Sequence, residues 1–134
     1  MYYDADITTL DNPFEAGLGF TVDLAKESAF IGREALQKIK AEGNRHRLCT
    51  ITIGDAAWLP LYGAEAVVAE GRVVTRLRSG GYGHTVKKNI GLAYLPPTLA
   101  KVGTALEVEI FGELVPAEVA ERVLYDPAGR ALKQ

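Results

Sequence analysis

The spacing of apolar residues along this chain changes near residue 45. Before that point Ile31, Ala35 and Ile39, with Leu36 beside them, recur at helical spacing, and Glu34 and Lys38 stand one turn apart, where they can pair. The pattern predicts one helix over about Gly32 to Ala41, capped by Ser28 and stopped by Gly43. Upstream, DADITTLDNP is polar, and Asp11, Asn12 and Pro13 favour a turn into an extended segment, with a strand from Leu18 to Val22.

Past the polar linker Asn44 to Arg47 the text turns into short β-type runs. Leu48 to Ile53, Ala64 to Ala69, Arg72 to Arg78, Ile90 to Leu95, Leu106 to Phe111 and Leu114 to Val123 are separated by Gly, Pro and Asp. Glu70 with Gly71, and Gly112 with Glu113, read as tight turns, because glycine tolerates the positive φ that two-residue hairpins require. Leu106, Val108 and Ile110 alternate with Glu107 and Glu109, as in a strand with one face in the core and one in water. Arg72 to Arg78 alternates less cleanly. The fold expected is mainly β: a six-stranded antiparallel β-barrel or distorted jelly roll, preceded by a short α/β segment with one helix. The division falls at residues 1–46 and 47–134.

Composition narrows the function classes. At 134 residues the chain can bury one real core but not two full domains. A formal net charge of -2 gives no field that would recruit nucleic acid. The apolar runs are only a few residues long and no charged segment precedes a hydrophobic one, so the reading is cytoplasmic, with no membrane span and no secretory signal. Cys49, the single cysteine, sits among Leu48, Ile51 and Ile53 and reads as a small buried hydrophobe.

The chemistry-bearing residues are few. Ser79 to Gly83, SGGYG, could form an anion-binding nest with Arg76, Arg78, Lys87 and Lys88 nearby. It lacks the Gly-Lys-Ser/Thr ending and following helix of a phosphate loop, so a bend between barrel strands with Tyr82 packed over it is the competing reading. His46 and His84 have no third ligand at metal spacing, and Ser79 near His84 has no acidic orienter, so neither a metal site nor a hydrolase is expected. Trp58 reads as a loop anchor over one barrel end, with an exposed interface role as the alternative.

Several tracts carry a family resemblance. NPFEAGLGFTV at Asn12 to Val22 and FIGREAL at Phe30 to Leu36 resemble a late segment of the glycine cleavage T-protein family, the tetrahydrofolate-dependent aminomethyltransferases. SGGYGHTVKKNIGLAYL at Ser79 to Leu95, VEIFGELVPAEV at Val108 to Val119 and LYDPAGR at Leu124 to Arg130 follow in the family's order, and they are most similar to the dimethylglycine and sarcosine dehydrogenase branch.

The resemblance implies the C-terminal part of an enzyme that moves a one-carbon unit from an aminomethyl donor to tetrahydrofolate. Residues 1–46 would then be the tail of the folate-binding core and 47–134 the C-terminal β-barrel domain. The family's catalytic acid and pterin-binding glutamate lie upstream of the matching tracts, so no catalytic residue is assigned and the isolated chain is expected to be inactive. Glu15 and Lys26 become candidates for folate contact, together with Ser79 and Tyr82 of the glycine-rich stretch. The implied partners are the chain's own upstream folate-binding domain and a lipoyl carrier protein. Phe14, Leu18, Phe20 and Phe30 would lose cover without that upstream domain, which would favour self-association. A non-catalytic β-barrel interaction module is the alternative.

Overall fold

The computed structural model describes residues 2–131 and 133. It contains one α-helix, α1 (Arg33–Glu42), and seven strands: β1 (Arg47–Ile53), β2 (Ala66–Ala69), β3 (Arg72–Arg76), β4 (Ser79–Gly83), β5 (Lys88–Leu95), β6 (Ala105–Ile110) and β7 (Glu113–Ala120). All neighbouring strands run antiparallel, in the order β3-β2-β6-β7-β1-β5-β4. The expected mainly β architecture with one helix is therefore present. The strand count rises from six to seven because Ser79–Gly83 is a strand in its own right, paired with β5 from Ser79↔Leu92 to Gly83↔Lys88.

The sheet rolls up because its two edge strands are one run of chain. At the break between β3 and β4, Leu77 still exchanges backbone bonds with the β2 side: its N–H donates to Glu65 O (2.9 Å), and Ala64 N–H donates to Leu77 O (2.8 Å). One residue later Arg78 N–H donates to Leu92 O of β5 (2.7 Å). The buried Leu77 side chain fills the seam. It fits because Gly91 lies beneath it, where a Cβ would stand 2.8 Å from a Leu77 methyl carbon. Ile51, Ile53, Val67, Leu95, Val108 and Val119 complete the enclosed core.

Two hairpins show how local sequence fixes the register. Glu70 (φ 50°) and Gly71 (φ 73°) both occupy the left-handed region that a two-residue turn demands, as expected. The β6–β7 turn is made by Phe111 (φ 50°) and Gly112 (φ 85°), one residue earlier than Gly112 with Glu113. Register decides this: Ile110 pairs with Glu113, which keeps Ile110 and Val108 in the core at the expense of a bulky residue at positive φ.

Other local expectations are corrected. Leu18 to Val22 forms no strand; Gly19–Thr21 is a 3₁₀ turn in which Thr21 gives both its N–H (2.9 Å) and its hydroxyl (2.7 Å) to Leu18 O. No neighbouring strand is available there, so local bonds satisfy the backbone. Ser28 does not cap α1. The cap position is Gly32 (φ 90°), with no side-chain cap bond, while Gly43 (φ 88°) ends the helix and donates to Ile39 O as expected.

The loop before β2 is organised by a residue that carried no signal in sequence. Asn89 is completely buried. Its Nδ2 donates to Ala57 O (2.7 Å), Ile53 O (3.2 Å) and Asp55 O (3.4 Å), and its Oδ1 accepts from Leu59 N–H (2.8 Å). Leu59 and Leu61 are thereby turned onto the core. Trp58, between the pinned positions, is 64% exposed, so those leucines and not the tryptophan cover the barrel end. Asn89→Ala strips partners from several buried backbone groups at once, and it should cost about 2–4 kcal/mol of unfolding free energy in urea melts.

Candidate functional site

Among the described residues a groove of about 660 Å³ lies over the outer face of the β4–β5 hairpin. Register sets its floor. Thr50, Leu92 and Ser79 form one cross-strand row, and Ile90 with Gly81 the next. Tyr2 and Tyr125 stand at its rim, and Arg122 lies at the end where the chain leaves β7. Glycine makes the hairpin possible: a Cβ at Gly83 would meet the Ile90 and Val86 methyls at 2.8 Å, and one at Gly80 would meet Leu61 at 2.9 Å.

The structure separates the four candidate residues. Ser79 and Tyr82 line the groove; Glu15 and Lys26 do not. The Tyr82 hydroxyl donates to Ala56 O (2.9 Å), and its ring meets the His84 ring edge-on with centroids 5.0 Å apart. Glu15 is buried, and its Oε1 accepts from the N–H groups of Arg45 (3.0 Å) and His46 (3.2 Å) while its carbonyl accepts from Leu48 N–H (2.8 Å). It pins the linker at the point where the chain enters β1. Asn12 prepares that position, its Oδ1 accepting from Phe14 and Glu15 N–H (both 3.0 Å). Lys26 is exposed between the 3₁₀ turn and α1.

The cations near the glycine stretch are also dispersed. Arg76 donates to Ala64 O (2.9 Å). Arg78 lies 3.6 Å from the Asp11 carboxylate and 5.1 Å from the centre of the Tyr94 ring. The basic residue that does line the groove is Arg122, whose Nη1 donates to Gly17 O (2.6 Å) and whose carbonyl accepts from the Thr50 hydroxyl (3.1 Å). Gly17 (φ +70°) leaves the room for that guanidinium, since a Cβ there would stand 2.8 Å from Arg122 Nη1. Nothing in the local sequence marks Arg122, because its partners lie far away along the chain.

Arg78 and Tyr94 form a polar seam under the N-terminal segment. Tyr94 is 6% exposed, and its hydroxyl has no hydrogen-bond partner among the described residues. Burial raises its pKa from 10.0 to about 12; Asp11 adds to the rise, Arg78 opposes it, and Glu15 and Asp6 add to it further. Cys49 is buried as expected, and burial raises its thiol pKa against the opposing effect of Arg47. Among the described residues no group of three or more His, Cys, Asp or Glu could hold a metal ion, and no helix is long and apolar enough to cross a membrane.

An antiparallel barrel with a glycine-floored hairpin groove and a helical lead-in defines the class, and comparison with known proteins defines the family. The family model described as the glycine cleavage T-protein C-terminal barrel domain matches residues 46–126. The chain belongs to that family. It is 38% identical over 125 residues to mouse (Mus musculus) mitochondrial dimethylglycine dehydrogenase, a match covering 92% of this chain and 14% of the relative. It is 42% identical over 123 residues to the aminomethyltransferase of Symbiobacterium thermophilum, covering 92% of this chain and 32% of the relative. The crystal structure of glycine cleavage system aminomethyltransferase T from Bartonella henselae superposes with a TM-score of 0.82 at 18% identity, over 91% of this chain and 34% of that one. The chain thus spans between 14% and 34% of the length of these relatives.

Two measurements follow from the buried groups. The raised Tyr94 pKa favours the protonated phenol in the folded state, so its contribution to stability is intact below the unfolded value near 10 and is lost as pH rises towards 12. Thermal melts across that window should show a fall in Tm that Tyr94→Phe reduces. At neutral pH the phenylalanine variant should be at least as stable as the parent, because the hydroxyl it removes makes no hydrogen bond. Cys49 should react with a thiol reagent far more slowly in the native chain than in denaturant; equal rates would contradict its placement in the core.

Proposed function

We propose that this chain acts as the C-terminal barrel of a tetrahydrofolate-dependent aminomethyltransferase and has no turnover by itself. The observation that supports the reading most directly is the match to aminomethyltransferase sequence over 92% of the chain, from the Glu15-pinned lead-in through the barrel. In this reading the barrel helps to wall a folate site whose catalytic acid is carried by an upstream folate-binding domain. Ser79 would face that site from the hairpin groove, Tyr82 would hold the adjoining loop through Ala56 O, and Glu15 would act by holding the lead-in against β1. A lipoyl carrier protein is the partner that would present the aminomethyl group.

The groove itself argues against independent catalysis. Among the described residues its ionisable side chains are tyrosines, His84 and Arg122, and no carboxylate lines it to orient an amine against folate. The same fact favours, as the second reading, a non-catalytic interaction module.

The test is to splice this chain into the Symbiobacterium thermophilum aminomethyltransferase in place of its matched third. The isolated chain should form no methylenetetrahydrofolate above background, and the splice should regain tetrahydrofolate-dependent transfer. A folded splice without transfer would favour the interaction module.

A further inference from the structure

Residues 2–11 form a small unit closed by bonds of its own. Asp4 N–H donates to Ile7 O (2.8 Å), Asp6 N–H to Tyr2 O (2.9 Å) and Tyr2 N–H to Asp6 Oδ2 (2.8 Å). Thr8 gives both its N–H (2.8 Å) and its hydroxyl (2.9 Å) to Asp11 Oδ2. From the next residues on the chain is held differently: Asn12 turns it, and Glu15 pins it to the linker ahead of β1.

Little apolar burial fastens this unit to the barrel. Tyr2, Tyr3 and Leu10 are exposed, and of residues 2–11 Asp6 alone is buried. Among the described residues, the ion pair that ties the unit down joins Asp11 Oδ1 to Arg78 Nη2 at 3.6 Å. That separation is too long for a hydrogen bond, so the pair holds by charge and weakens as salt is added. Beneath the unit lies Tyr94. Arg78 stacks over its ring, and burial, then Asp11, Arg78, Glu15 and Asp6, act on its phenol. Its buried hydroxyl has no hydrogen-bond partner among the described residues. A closed cover therefore leaves a polar group unsatisfied, and lifting the cover lets water supply the missing bond.

We infer that residues 2–11 are a lid, hinged at Asn12 and Pro13 and latched by the Asp11–Arg78 pair, which opens and closes over Tyr94. The latch favours the closed state and the orphaned hydroxyl favours the open one, so a small change in either moves the balance. Opening takes Tyr2 away from the groove rim. It also extends the outward apolar face of β5 from Ile90 and Leu92 to Tyr94, on the same side of the strand. That the lid thereby governs access to the groove rests on the function proposed above; the hinge and the latch do not.

Hydroxyl-radical footprinting of this chain tests the latch, with labelling of Tyr94 read relative to the denatured chain. Tyr94 should be protected at low ionic strength, and its protection should fall several-fold at high salt. Asp11→Asn keeps an oxygen for the two Thr8 bonds and removes the charge, while Arg78→Met removes the partner on the barrel side. Each should raise Tyr94 labelling several-fold and abolish the salt effect, and the double variant should match either single one, because all three break the same pair. Slow modification of Cys49 shows that the barrel is intact in each; should Arg78→Met lose it, Asp11→Asn carries the test alone. Tyr94→Phe, read at the substituted ring, should be better protected than the original tyrosine, because its closed state buries no hydroxyl. Protection of Tyr94 that ignores salt and both charge changes, or additive effects of the two variants, would overturn the latch. Equal protection in Tyr94→Phe would overturn the hydroxyl as the force that opens the lid. A folded splice without one-carbon transfer would count against the proposed function and leave these footprints, and the lid, untouched.

Discussion

The structure depends on one passage of chain through a seam. Residues 72–83 leave one edge of the sheet as β3 and become the opposite edge as β4, and the exchange of partners occupies only Leu77 and Arg78. Because both edges belong to one run, the sheet cannot stay open. Closure needs close contact, and Gly91 allows it by admitting the Leu77 side chain where any Cβ would collide. Arg78 carries the seam outward, to the Tyr94 ring and to Asp11 of the N-terminal segment.

Polar groups do the remaining organising, and each acts by satisfying backbone at a distance. Asn89 gathers the loop ahead of β2 from inside the barrel. Glu15 fixes the linker ahead of β1, and Arg122 ties the end of the barrel to Gly17. Buried polar side chains are tolerable when their partners are present, and here those partners are loop amides and carbonyls that would otherwise be unsatisfied. The N-terminal segment is thus attached to the barrel through specific bonds more than through apolar burial. Its hydrophobic groups show this: Phe20 is 81% exposed, Phe30 and Ile31 are also exposed, and α1 buries none of its residues. Phe14 and Leu18, by contrast, are half-buried.

Much of this was legible in sequence. Alternation in Leu106 to Ile110, the Glu70–Gly71 turn, Gly43 as the helix stop and Cys49 as a core residue all rest on interactions within a few positions, and local chemistry decides them. The ordered tracts from Asn12 to Arg130 placed the chain in its family. The strand Ser79–Gly83 was missed because three glycines give no alternation to read, and Trp58 was misplaced because an aromatic residue in a loop does not announce which way it faces.

What the sequence determined by itself was the period of each segment, and with it a β-rich domain led in by one helix. Only the tertiary structure decided which groups meet. Asn89 with loop residues some thirty positions earlier, Arg122 with Gly17 across 105 positions, and Glu15 with His46 are pairings between distant points. No local pattern encodes them, because a hydrogen bond constrains the geometry of its two partners and leaves their separation along the chain free. The groove is of the same kind: its floor comes from cross-strand register and its rim from both flanks of the barrel, so it exists only once the seam has closed.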